Sequence, residues 1–339
     1  MPSAITHPEK LLFPADGITK GDVCAYYQAV AEVMVPHLAG RPVTMERYPA
    51  GIDKKGFIQK DVSKGFPDWL HRVEISKRTG GERAGAERTG REDDATVHYP
   101  LVDEARALLW LANQNAITPH VWPSRLPKLQ HPDLCVFDLD PSEDASQDAA
   151  RDQPAELRAA ALAVRDLLAE LGLPSFVKTS GSKGFHIVVA LDGEADFEPV
   201  RRFSQGAGAV LVKRHPALFT EEFIKADRGG RIFVDTGRNG YGATFAAVYA
   251  LRPKPGAPVS APCTWAEIER GAVGPQTFTL RTLAARLAAV GDLWRALHDR
   301  PHSLRDATAA LERLLTDADW QESHAATTRR PVSRKRTRR

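Results

Sequence analysis

The sequence predicts an α/β (α+β) chain, and three observations carry that prediction. Short apolar runs of strand length, rich in Val, Phe and Ile, alternate with longer segments of helical spacing. The strand-like runs gather between residues 133 and 251, whereas helical spacing dominates both ends. Gly and Pro stand at the borders of these runs, where breakers define elements. A hydrophobic share of 42% against 26% charged is enough to build a sizeable core in one large domain or two modest ones.

In chain order, Thr19 is placed to cap a helix with Asp22 three residues on. Val23, Tyr26, Tyr27, Val30, Val33 and Met34 then recur at helical spacing up to Gly40. Residues 47–60 (RYPAGIDKKGFIQK) mix aromatic and basic side chains in a Gly- and Pro-punctuated stretch. Residues 79–95 (TGGERAGAERTGREDDA) hold nothing apolar larger than Ala, the composition of a mobile surface insertion. Leu108, Leu109 and Leu111 supply the apolar surface of a second helix over 103–116. Residues 133–140 (DLCVFDLD) read as a buried strand between Pro132 and Pro141, and the Ala- and Leu-rich 154–171 as a helix stopped by Gly172 and Pro174. Residues 175–180 and 185–191 are strands around the turn GSKG, and 231–235 (RIFVD) and 243–251 (ATFAAVYAL) are two more. Beyond Pro275 the chain returns to helix, with Leu280, Leu283, Leu287 and Val290 on one face.

Seven of the 46 basic residues fall in 329–339 (RRPVSRKRTRR) with no acid among them. The rest of the chain carries 39 basic against 43 acidic residues, so attraction to polyanions must come from local patches and this tail. The tail is too polar to fold, and it either solubilises the chain or adds sequence-blind attraction to a phosphate backbone. Cys24, Cys135 and Cys263 lie far apart without a CxxC pair, which favours buried reduced thiols over a zinc or disulfide framework. No apolar run approaches the roughly 18 residues that span a bilayer, and MPSAITHPEK lacks a signal-peptide core. A cytoplasmic location, with no membrane partner, is therefore expected.

Three motifs carry chemistry. Asp138 and Asp140 are two apart on a strand, so their carboxylates project from one face and repel. A hard divalent cation, Mg²⁺ or Mn²⁺, is a fitting counter-charge, although a bare DxD also ends ordinary strands in solvent. Residues 179–186 (TSGSKGFH) place two glycines and a lysine between strands, a pattern suited to an anion such as a triphosphate. No Walker loop is present. A polar hairpin with a surface lysine is the plainer account of the same residues. Asp235 closes RIFVD as a further carboxylate, with Arg228, Arg231, Arg238 and Arg252 near it in sequence to meet phosphate oxygens. Together these are the parts of metal-assisted nucleotidyl transfer or hydrolysis.

At these motifs the chain resembles the archaeo-eukaryotic primase superfamily and, more narrowly, the bacterial ligase D polymerase domain family. The resemblance runs from about residue 6 to about 299 and rests on VFDLD, on Ser180 to His186 within TSGSKGFH, and on Val234-Asp235 followed by RNGYGAT and LRPKPGAPV. It implies a primase-like fold with an RRM-like catalytic β-sheet. The expected organisation is one primase-polymerase domain over 1–300, with an N-terminal α/β subdomain at about 6–130 and a catalytic subdomain at about 131–300. A C-terminal helix over 301–328 and the disordered tail follow. Asp138, Asp140 and Asp235 are then the catalytic, metal-binding carboxylates, with His120 an additional metal-associated residue. Ser180, Lys183, His186, Arg252 and Arg228 would hold the nucleotide, and Lys10 and Lys20 the DNA 5′-phosphate. Where relatives often carry paired aromatics that stack on the template, this chain has Phe57-Ile58, which leaves Phe57 for that role.

The activity so implied is template-directed extension of primers at gaps or double-strand breaks with NTPs or dNTPs, using Mn²⁺ or Mg²⁺, in non-homologous end joining. Its partners would be gapped or broken DNA bearing a 5′-phosphate, Ku and a separate ATP-dependent DNA ligase, near the nucleoid. No ligase segment accompanies the module in these residues, so a stand-alone polymerase module is expected. Gap filling or de novo priming independent of end joining are alternatives within the fold. A haloacid-dehalogenase-like phosphatase, from VFDLDPS, and a catalytically inactive DNA-binding scaffold are alternatives outside it.

Overall fold

The computed structural model describes residues 4–62, 65–76, 96–142 and 152–328. The insertion expected over 79–95 and the tail expected over 329–339 lie outside the described residues. The chain divides into two compact units, Met1–Trp122 and Pro123–Arg339.

The first unit opens with β1 (Leu11–Phe13) and β2 (Ile18–Thr19), an antiparallel pair leading into helix α1 (Lys20–Leu38). Thr19 and Asp22 close a capping box, each side chain accepting from the other's backbone N–H, which fixes where the helix starts. The face of α1 bearing Val23, Tyr27, Val30 and Met34 is buried, and the Tyr27 hydroxyl donates to the Ile117 carbonyl. β3 (Val43–Arg47) pairs with β4 (Phe57–Gln59), so the stretch at 47–60 is an antiparallel hairpin. β5 (Arg72–Ser76) and β6 (Thr96–Pro100) form a second ladder, with Ser76 opposite Thr96. Helix α2 (Ala105–Asn113) packs on α1, and β7 (Ala116–Val121) lies along β3.

The second unit is built on β8 (Leu134–Asp140), α3 (Gln153–Glu170), β9 (Phe176–Thr179), β10 (Phe185–Ala190), α4 (Phe197–Arg214), β11 (Phe219–Thr220) and β12 (Ile232–Asp235). The two-residue β13 (Phe245–Ala246) lies outside its sheet, and β14 (Pro262–Cys263) closes one edge. Strand order is β11-β12-β8-β10-β9-β14. The run β8-α3-β9-β10-α4-β12, with β8 and β10 central and all their pairings antiparallel, is the β-α-β-β-α-β arrangement of an RRM-like sheet. Helices α3 and α4 cover one face, where Cys135, Phe137 and Leu139 are buried. The alternate residues of β8, including Asp138 and Asp140, look the other way.

Three expectations change. The strand expected over 243–251 is only β13, because the chain turns and Tyr249 adopts a left-handed φ of 63°. Helix α6 (Leu283–Val290) follows the short α5 (Trp265–Glu269), but of its expected apolar face only Leu283 is fully buried; Val290 is exposed. The single helix expected over 301–328 is two, α7 (Arg305–Glu312) and α8 (Asp317–Thr328). The break has a local cause. Thr316 accepts from the Asp319 N–H at 3.3 Å while the Asp319 carboxylate accepts from the Thr316 N–H at 2.7 Å, a capping box that starts a new helix. Both helices pack on α4, where Gly206 leaves room for the Trp320 ring.

Cys24, Cys135 and Cys263 are free and buried, as the sequence leads one to expect. No helix among the described residues is long and apolar enough to cross a membrane.

Candidate active site

The register of the second sheet builds the site. Asp138 on β8 stands directly opposite His186 on β10 and opposite Asp235 on β12, and His186 in turn faces Lys178 on β9. Directly paired residues share a face with Cβ atoms roughly 5 Å apart, so Asp235, Asp138, His186 and Lys178 form one row across four strands. Asp140 joins the same face two residues along. Strand pairing therefore gathers the acids of two motifs separated by about a hundred residues.

Around that row lies a cavity of about 200 Å³, lined chiefly by polar groups from Asp138, Asp140, Ser180, Lys183, His186, Asp235, Arg238 and Arg252. A larger, mostly apolar cavity of about 360 Å³ occurs in the first unit, around Trp69 and Trp110. Size favours the latter, but the charged and hydrogen-bonding groups that reactions on phosphates require converge only on the former among these two.

The TSGSKGFH turn is held open by its own groups. The Ser180 hydroxyl oxygen accepts from the Ser182 and Gly184 N–H groups, both at 3.1 Å. Those two amides are thus spent on shaping the loop, and Lys183, Arg238 and Arg252 bring positive charge to the cavity wall. Arg252 donates to the Ser180 carbonyl at 3.1 Å. Gly181, at φ 63°, backs onto the Arg252 side chain, which a Cβ there would meet at 2.7 Å. A Cβ at Gly184 would fall inside the Leu139 carbonyl, so only glycine lets β10 approach β8 beside the acids.

Every carboxylate is matched by a cation. Arg228 donates to Asp140 at 2.9 Å and also to the Glu222 and Phe223 carbonyls, with its guanidinium 4.2 Å from the centre of the Phe233 ring. It is buried and is not among the residues lining the cavity. Arg228, expected to hold the nucleotide, is placed on Asp140, which itself lines the cavity. Arg238 bridges Asp138, at 3.2 Å, and Asp235, at 2.9 Å. His186 Nε2 lies 3.4 Å from Asp138. Burial pushes the Asp138 carboxyl up to about 6, with Asp235 and Asp140 adding to the rise and Arg238 and Arg252 opposing it. Arg238 is itself held above its ordinary value by Asp235 and Asp138, against the opposing effect of burial.

Two residues of the site escaped sequence reasoning. Asn239 accepts from the Val136 N–H at 2.8 Å and donates to its carbonyl at 2.7 Å, completing the ladder of β8 just beyond the end of β12. That anchor holds the turn Gly237–Asn239 and sets Arg238 against the acids. Lys178 is fully buried behind His186 and donates to the Ser260 hydroxyl. Desolvation holds its amine well below the usual lysine range. The RNG tripeptide after an acidic strand end was a usable signal for the first residue. Nothing local marked the second.

The remaining expected residues belong to the first unit. The Lys20 N–H donates to the Lys10 carbonyl at 2.7 Å, which sets the two lysines side by side. Lys10 is exposed; Lys20 is buried and its ammonium donates to the Thr6 hydroxyl at 2.8 Å. Burial lowers the Lys20 pKa. Phe57 is 47% exposed on β4, with the Arg47 guanidinium 5.3 Å from its ring centre. His120 on β7 pairs with Glu46 at 3.2 Å.

Among the described residues no three His, Cys, Asp or Glu side chains are grouped closely enough to hold a metal ion. The chemistry of the donors nevertheless fits one: three carboxylates share a sheet face, and the acids now converge on guanidinium groups.

The family model of the LigD primase-polymerase domain matches residues 19–294. The multifunctional non-homologous end joining DNA repair protein LigD of Mycobacterium tuberculosis is 38% identical over 315 residues, covering 86% of this chain and 36% of that protein. The corresponding LigD of Mycolicibacterium smegmatis is 33% identical over 321 residues, covering 91% and 39%. The chain thus spans little more than a third of the length of these relatives. The polymerase domain of Mycobacterium tuberculosis ligase D, solved in complex with DNA, matches with a TM-score of 0.75 at 36% identity, covering 88% of this chain and 99% of that one.

Proposed function

The chain belongs to the LigD primase-polymerase domain family and shares its fold, and from that premise we propose that it is a template-directed nucleotidyltransferase. It extends primers at DNA gaps and double-strand breaks with NTPs or dNTPs, in repair by non-homologous end joining. The observation that carries this reading is the in-register row Asp235–Asp138–His186 opening on a cavity shared with Ser180, Lys183 and Arg252.

In this reading Lys183 and Arg252 bind the triphosphate, and the Ser180 hydroxyl keeps their loop in shape. Asp138, Asp140 and Asp235 would hold Mn²⁺ or Mg²⁺, which would lower the pKa of a 3′-hydroxyl and offset the charge of a pyrophosphate. His186 joins Lys183 and Arg252 in holding the nucleotide, with its Nε2 3.4 Å from Asp138. Lys10 and Lys20 grip a downstream 5′-phosphate, His120 is the additional metal-associated residue and Phe57 stacks on the template. The names of the relatives support non-homologous end joining as the setting, and Ku and a separate ATP-dependent DNA ligase are the partners this reading expects.

The test is extension of a primer on a gapped duplex, with and without a 5′-phosphate, comparing ribo- with deoxynucleotides. Extension that needs Mn²⁺ or Mg²⁺ and is enhanced by the phosphate is expected. Binding of gapped DNA without extension under either metal would leave the scaffold reading in its place.

A further inference from the structure

The two arginines on the acidic row are held in different ways. Arg228 is fixed by two backbone carbonyls and an aromatic ring, with 5% of its side chain exposed. The Arg238 side chain is 39% exposed, and besides the acids it donates to the Thr244 carbonyl at 3.4 Å. Its backbone is anchored through Asn239, so the guanidinium has a fixed base and a solvent-facing head. That head occupies the Asp138 and Asp235 oxygens from the cavity side.

A divalent cation seated between Asp138 and Asp235 needs the same oxygens. At contact distance a dication and a guanidinium repel by several kcal/mol even at an effective dielectric constant of about 20. One must leave for the other to enter. A triphosphate in the cavity offers the displaced guanidinium new anionic oxygens, since Arg238 lines the cavity together with Lys183 and Arg252.

We propose that Arg238 is a resident counter-cation which neutralises Asp138 and Asp235 in the metal-free protein and transfers to the nucleotide's phosphates as metal enters. Metal affinity is thereby coupled to nucleotide binding. This inference rests on the reading of the acids as a metal site. Linkage makes the coupling reciprocal: whatever factor the triphosphate adds to metal affinity, the metal adds to triphosphate affinity.

The experiment measures Mn²⁺ binding by electron paramagnetic resonance of the free ion, with and without a non-hydrolysable NTP, subtracting the Mn²⁺ that the analogue binds alone. Wild type, R238Q and R238K are compared. Wild type should bind Mn²⁺ weakly alone and about ten-fold or more tightly with the analogue. R238Q alone should bind Mn²⁺ about ten-fold more tightly than wild type, and its gain from the analogue should shrink by a similar factor. R238K, which keeps the charge, should stay near wild type. Equal Mn²⁺ affinity in wild type and R238Q overturns the counter-cation while leaving the metal site standing. Binding in none of the proteins under any condition overturns the metal reading beneath it. Should R238Q fail to fold, wild type decides, because a Mn²⁺ affinity that the analogue leaves unchanged also overturns the coupling.

Discussion

The acidic row of the second unit and the lysine pair of the first concentrate charge by opposite means. Asp235, Asp138 and His186 are placed by strand register, each opposite the next, and every alternative position would flip a whole strand. Lys10 and Lys20 are brought together by one backbone hydrogen bond where β1 and β2 meet, with Lys10 open to solvent. A charge fixed by register has no neighbour that can stand in for it. A charge on an exposed stem can be replaced by its partner at modest loss.

The strongest way to break that contrast is to exchange the acids. D138A and D140A should each lower primer extension by about 10³-fold or more, as removal of groups that hold catalytic metal does, with the fold intact by circular dichroism. Extension that survives either change removes the catalytic assignment. A second test attacks the register itself. N239A leaves the buried Val136 N–H and carbonyl without their side-chain partner and should cost about 2–4 kcal/mol of unfolding free energy in urea. The same variant should impair extension, because Arg238 loses its anchor.

A third test concerns a buried acid far from the row in function. Glu221 lies where a Cβ at Gly208 of α4 would meet its carboxylate, at 2.6 Å, and bonds Ser323 of α8, and burial pushes its carboxyl up to about 7 from 4.5. The folded chain then keeps this proton where the unfolded chain has lost it. Stability should fall as pH rises from about 4.5 through 7, by up to about 3 kcal/mol, and stay reduced above that. E221Q should abolish this part of the decline, so its advantage over wild type in urea appears at pH 8 and vanishes at pH 4. Last and smallest, K10A and K20A should each weaken only the 5′-phosphate-dependent stimulation of extension, a few-fold effect of the order of one lost ionic contact. Loss of extension on substrates lacking the phosphate would show that the lysines act elsewhere.

Much of the site is legible in the sequence because its parts are local. The i, i+2 spacing of Asp138 and Asp140, the glycines of TSGSKGFH and the acid ending RIFVD each follow from one segment. Which strands become neighbours does not, since the pairing of Asp235 with Asp138 spans about a hundred residues. For the same reason Arg228 and Arg238 look alike in sequence, yet one is buried on Asp140 and the other heads into the cavity. Propensity also misleads where backbone geometry intervenes. ATFAAVYAL has the composition of a strand, but Tyr249 turns the chain, its N–H donating to the Ser260 carbonyl at 2.7 Å. The split of the C-terminal helix was readable, because Thr316 and Asp319 spell a capping box.

The three buried thiols make the protein a recorder of its own breathing. Cys24 sits in α1 of the first unit, whereas Cys135 and Cys263 lie on β8 and β14 of the second, the latter pushed up to about 12 by burial. An alkylating reagent at neutral pH meets a reactive thiolate only when the surrounding unit opens. Labelling of Cys24 against that of Cys135 and Cys263, followed by mass spectrometry, thus clocks each half of the chain separately without any introduced probe.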